Sequence, residues 1–267
     1  TGREEEWRFT PLDRIAVLLD GAPSAARLQW KAELPEGVTL REVGADDPLL
    51  ATVPSPVDRL SALAMQRSQG ATVVTVPAEA QLTEPVLIDL RGTGGDEVVW
   101  SHLVLDIGPF AKATVVLEHA GDARYASCVS VLVGDSAHVD VVAVHEWDDT
   151  TVHAGHTAIR VGRDATVRGI DVTLGGDLVR LVKTVEYAGP GGDAELLGLY
   201  FADAGQHLEH RLFIDAARPR EISSRSAKLN RLGERRRGSG RIPPHRTRYE
   251  RTVLVGRPNA RAAGFIE

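Results

Sequence analysis

A chain of 267 residues with 43% hydrophobic and 25% charged residues can bury a sizeable core, which excludes wholesale disorder. No apolar run approaches the ~18 residues of a membrane-spanning helix, and the acidic, Met-less start Thr1–Glu6 has no signal-peptide character. The single Cys128 excludes an internal disulfide and a thiolate metal cage, so a reducing cytoplasm is expected. The net charge of −6 hides an asymmetry: residues 216–251 hold twelve Lys/Arg against three Glu, a local +9 that leaves −15 for the remainder.

Residues 1–69 are mixed. Residues 7–12 close an acidic lead-in, residues 15–19 form a short apolar run, and residues 26–30 with 38–43 are a predicted strand pair. Pro54 and Pro56 break the chain. Ser55 is the predicted cap of a helix over residues 57–67, with Leu60, Leu63 and Ala64 on one face and Gly70 as its terminating glycine.

From Gly70 the pattern becomes all-β. Short β-branched runs at 71–76, 86–90, 98–107, 114–118, 127–133, 139–145, 157–161, 167–174, 178–187, 194–201 and 207–214 are separated by Gly, Asp and Pro. A frame recurs inside them: Gly108, Gly134, Gly162 and Gly191 are each followed three residues on by Ala (Ala111, Ala137, Ala165, Ala194). Two residues later comes Ala113, Val139, Val167 or Leu196, and the glycine spacings are 26, 28 and 29. A period of this size made only of strands and turns predicts a solenoid. Glycine would permit the tight corner, alanine would fit where coils stack closely, and the branched residue would fill the interior. A β-sandwich is the alternative.

Candidate sites are few. His145, His153 and His156 flank Glu146, Asp148 and Asp149, a set that could ligate a metal, but the spacing matches no metal motif and the acids fit a solvated turn. His207 and His210, three apart, fall on opposite faces of a strand and cannot chelate one ion together. Cys128 sits in an apolar alternation and is expected to be a buried small hydrophobe. Gly175–Asp177 and Gly189–Asp193 lack the Lys-Ser/Thr ending of a phosphate loop and are predicted turns. The basic stretch could attract nucleic acid, yet Tyr249 is its lone stacking residue.

Several stretches resemble the SufB/SufD family, SufD more than SufB. They are Arg3-Glu-Glu-Glu-Trp-Arg-Phe-Thr-Pro-Leu12, Ser61-Ala-Leu-Ala-Met-Gln-Arg-Ser-Gln-Gly70 with the strand after it, Glu84-Pro-Val-Leu87, Leu117-Glu-His119, and Gly205-Gln-His207 through Phe213-Ile-Asp215. The resemblance covers roughly residues 1–215. It implies a right-handed parallel β-helix with a short N-terminal α/β lead-in (1–69) and a β-helical core (70–215). It also implies a non-catalytic iron–sulfur assembly scaffold, a SufB-like partner and a SufC-like ATPase. The iron–sulfur cluster and ATP would be handled by the wider complex, with no cofactor held by a motif of this chain.

Family members place a His directly after Asp215 and, in some, a Cys five residues further, near the partner contact. Here Ala216 and Glu221 stand there, while Pro219 and Ser223 keep the frame. Alanine offers no ligand atom and Glu is a hard donor, so the ligand role does not transfer. The candidate interface is His207, Asp215, Ala216, Pro219, Glu221 and Ser223. Residues 216–267 are an atypical basic tail without the family's helical domain. A divergent tail that continues the β-helix and a frame-shifted stretch both fit its Arg/Gly/Pro content. A secreted-type polysaccharide-acting β-helix enzyme and a nucleic-acid binder are the rival functions.

Overall fold

The computed structural model of the chain describes Trp7 and residues 9–215. Its strands stack in parallel coils, a β-solenoid of about five turns. The first face takes β1 (Gln29–Glu33), the first halves of β4 (Val86–Ile107) and β5 (Lys112–Val133), then β6 (His138–Trp147), β8 (Thr166–Thr173) and β10 (Asp193–Tyr200). The second face takes β2 (Thr39–Gly44), β3 (Gly70–Val76), the second halves of β4 and β5, then β7 (Val152–Val161), β9 (Leu178–Tyr187) and β11 (His207–Asp215).

Register explains the sequence period. Lys112 lies beside His138, His138 beside Thr166 and Thr166 beside Asp193, steps of 26, 28 and 27 residues. On the other face the steps from Arg124 to Val152, Leu178 and His207 are 28, 26 and 29. Because side chains alternate along a strand, one residue in two enters the interior. Ile88, Leu117, Val141 and Val167 on one face meet Leu105, Val131, Ile159 and Val185 on the other in one apolar cluster.

The corner glycines work differently from expectation. Gly108, Gly134 and Gly162 do not have positive φ; the left-handed residues are Phe110, Ser136 and Asp164, with φ of 60°, 58° and 55°. What the glycines supply is close approach. A Cβ at Gly134 would lie 2.5 Å from the Pro109 nitrogen, and one at Gly108 would lie 2.4 Å from the Ala78 nitrogen. Ala111, Ala137 and Ala165 are fully buried interior residues. The fourth frame match is displaced by two residues. Ala194 pairs with Val167 rather than Ala165, and Gly191, at φ 76°, is the positive-φ residue of its corner. A shift of two preserves the inward parity, so Ala194 and Leu196 are still buried.

Two further expectations change. The predicted strand pair does not form: β1 runs antiparallel to β4 and β2 antiparallel to β3, so each extends a different face. The helix α2 (Arg59–Arg67) is capped by Asp58, not Ser55. The Asp58 carboxylate accepts from the Ser61 N–H at 2.9 Å and the Ser61 hydroxyl accepts from the Asp58 N–H at 3.0 Å. Gln69, at φ 56°, takes the left-handed position after α2, and Gly70 already begins β3. The apolar run at 15–19 belongs to helix α1 (Leu12–Leu19), which buries Ile15 and Leu18. Both helices lie on the outer side of the second face, where small residues (Ala126, Cys128, Ala154) let them approach Trp100 and Leu178.

Candidate functional site

The last described coil carries β10 and β11. Among the described residues β10 pairs only with β8 and β11 only with β9, so each is the last described strand of its face. Leu199 and Phe201 are exposed on and just after β10, and exposed Leu174 lies next to Phe201, whose N–H donates to the Thr173 carbonyl at 3.0 Å.

Alternation along β11 sorts its side chains. Leu208, His210 and Leu212 point inward; His207, Glu209 and Arg211 lie on the outer side. Glu209 is buried there. It accepts from the Thr10 hydroxyl at 2.7 Å, from His207 Nε2 at 3.3 Å and from Arg211 Nε. Arg180, in register with Glu209, pairs with Asp58 at 2.7 Å, and its guanidinium lies 4.1 Å from the Trp7 ring. Burial by itself would raise the Glu209 carboxyl; the His207 hydrogen bond and the Arg211 and Arg180 charges bring it down to about 2. Asp58 is likewise lowered against its burial, chiefly by Arg180. Both carboxylates are therefore ionised partners in a charge-balanced strip, unsuited to general acid catalysis.

The interior changes character along the coils. Beside the aliphatic positions of β5, β6 and β7 stands a column of rings. His119 stacks on His145 at 4.4 Å, Tyr125 stacks on His153 at 4.7 Å, and the Trp147 indole N–H donates to His153 Nδ1 at 3.2 Å. The Ser127 hydroxyl bonds His153 Nε2 at 3.0 Å, and among the described residues buried His145 Nδ1 has no hydrogen-bond partner. Further along, Lys183 and Asp171 form a buried ion pair at 2.8 Å, and His210 bonds the Thr173 hydroxyl at 2.9 Å beside Tyr200.

His145 and His153 thus belong to a buried ring column, while His156 faces the other way and bonds Thr184 at 2.9 Å; Glu146, Asp148 and Asp149 are exposed. Among the described residues no cluster of His, Cys, Asp or Glu is arranged to hold a metal ion. Cys128 is fully buried against the helices, and burial pushes its thiol up to about 12. Of the predicted interface, His207 is half-buried at the start of β11 and Asp215 ends it in register with Glu186; Ala216, Pro219, Glu221 and Ser223 lie outside the described residues. Sequence reasoning placed His119 in a family-like stretch but not beside His145. The signal was present, since 26 residues, the same step as the glycine repeat, separate it from His145.

The lineage of this solenoid follows from its similarity to known proteins. The family profile described as "SUF system FeS cluster assembly, SufBD core domain" matches residues 90–229, which is more than half of the chain. The chain belongs to the SufBD family. Its similarity to curated members is extensive. It is 43% identical over 219 residues to an iron–sulfur cluster assembly SufBD family protein of Mycobacterium leprae (strain TN), covering 82% of this chain and 56% of that protein. It is 44% identical over 220 residues to the SufBD family proteins of Mycobacterium tuberculosis (strain ATCC 25618 / H37Rv) and Mycobacterium bovis, covering 82% of this chain and 55% of each. The chain spans about half the length of these SufBD relatives. The family profile also runs past Asp215, beyond the point where the motif resemblance was read to end. Among the described residues no helix is long and apolar enough to cross a membrane.

Proposed function

We propose that this SufBD-family chain is a non-catalytic scaffold subunit of iron–sulfur cluster assembly, working in the cytoplasm and joining a SufB-like subunit through its last coil. The observation that carries this reading is that β10 and β11 are the last described strands of the two faces and are bordered by exposed Leu174, Leu199 and Phe201. A strand edge beside an apolar margin fits addition of a partner's strands. Glu209, the buried carboxylate of β11, is held by Arg211 in an ion pair, which supports an assembly role over hydrolysis. The cluster is cargo of the complex, and ATP turnover belongs to a SufC-like ATPase.

The test is anaerobic co-purification of the full chain with a SufB-family and a SufC-family subunit. Reversing the charged side chains within residues 207–223 is expected to abolish recovery of the SufB-family subunit. Adding the wild-type chain to the other two subunits is expected to raise ATPase activity. Undiminished recovery after charge reversal would refute the assignment of this coil as the contact.

A further inference from the structure

In a solenoid each coil touches only its neighbours, so a coil is coupled to distant ones only through those between. Here a second support reaches the last described coil from the opposite end of the sequence. The Thr10 hydroxyl donates to buried Glu209 on β11 at 2.7 Å, across 199 residues. Arg14 donates to the Asp177 carboxylate and carbonyl, each at 2.6 Å, and to the Gly205 carbonyl at 2.9 Å, joining the turns before β9 and β11. Trp7 covers Arg180, and Asp58, the cap of α2, neutralises it. Each contact is made by the lead-in and received by the last two coils. Ile15 and Leu18 of α1, fully buried in the cluster shared with Trp100 and Leu178, hold the lead-in across the coils between.

We propose that Trp7 and residues 9–14 are a clasp that sets the conformation of the last described coil, so that β11 is presented to a partner in register only while the clasp is closed. The regulatory half of this proposal rests on the reading of β11 as a partner-binding edge; the clasp itself does not. The clasp bypasses the nearest-neighbour coupling of the coils. Anything that captures or lifts the lead-in, a partner subunit above all, would therefore loosen β11 while leaving the central coils intact. Glu209 is the pivot. Without the Thr10 hydroxyl a buried carboxylate loses a donor it cannot replace from solvent.

The experiment is amide hydrogen exchange on the full chain carrying Thr10→Val and Arg14→Met, with Thr10→Ser as the variant that keeps the hydroxyl. In the double variant, exchange across β11 is expected to accelerate about tenfold or more, in line with loss of a hydrogen bond to a buried charge. Exchange in β5 and β7 should stay within about twofold of wild type, and Thr10→Ser should match wild type throughout. Unchanged exchange in β11, or equal acceleration in every coil, would overturn the clasp. Pull-down of a co-expressed SufB-family subunit is read separately, and weaker recovery with the double variant supports the regulatory role. Undiminished recovery alongside a loosened β11 overturns that role, whereas failure of the wild-type chain to recover the subunit refutes the edge assignment instead.

Discussion

Lowering the pH from 7.5 to 5.5 is expected to remove most of the folding stability of this solenoid. Five histidines (His102, His119, His145, His153 and His156) are buried. Burial holds His102, His119 and His156 down at about 4 and pushes His145 and His153 well below the ordinary imidazole range, with the neighbouring rings of the column adding to the effect for the last two. In the unfolded chain each would titrate near 6.5. Between those values the unfolded state binds protons that the folded state refuses. The contribution is therefore complete above pH 6.5 and drains away as pH falls toward 4.

At pH 5.5 the loss is on the order of 1 kcal/mol per histidine and several kcal/mol for the five, comparable with the whole stability of an ordinary domain. The depressed carboxylates do not offset it. Glu209 and Asp58 lose their stabilising contribution only below the ordinary carboxylate range, toward about pH 2 for Glu209. Urea midpoints measured at pH 7.5, 6.5 and 5.5 should fall steeply over the last step. Midpoints that stay level to pH 5.5 would contradict the buried neutral column, and His119→Gln should reduce the proton uptake on unfolding by one.

Asp171→Ala is expected to destabilise the fold by about 3–5 kcal/mol, because it strands the Lys183 ammonium inside the solenoid. The pair lies between the two faces of the lower coils, with side chains only 8% and 9% exposed. Removing one partner leaves a charge that water cannot reach. Removing both should not: Asp171→Leu with Lys183→Met replaces the pair by apolar groups of similar volume, and its thermal midpoint is expected to equal or exceed that of the native chain. A double variant as unstable as the single one would show that the pair holds the coils together rather than merely satisfying itself.

Much of the solenoid was legible in the sequence because its strands obey a local rule. Inward residues recur every second position and coils recur every 26 to 29, so β-branched runs and glycine corners fall into a visible frame. The lead-in was less legible. Ile15 and Leu18 form too short a run to distinguish a helix from a strand, and the partners of β1 and β2 depend on contacts with β4 and β3 that no local pattern encodes. Asp58 outcompetes Ser55 as a cap because its carboxylate also neutralises Arg180, a partner 122 residues away. The ring column needed register as well as composition. His119 and His145 become neighbours only once the step of 26 is applied to histidines as it was to glycines. The clasp on Glu209 had no sequence signature at all, since Thr10 and Arg14 are unremarkable until folding brings them to the last coil.

The most direct measurement is a hydrogen-exchange footprint of the full chain, alone and bound to a SufB-family subunit under anaerobic conditions. Protection is predicted to concentrate in β10 and β11, with the amides of β3 to β7 unchanged. Protection confined to the β1–β2 end or to the helical side, with β10 and β11 exchanging as in the free chain, would show that a partner docks elsewhere.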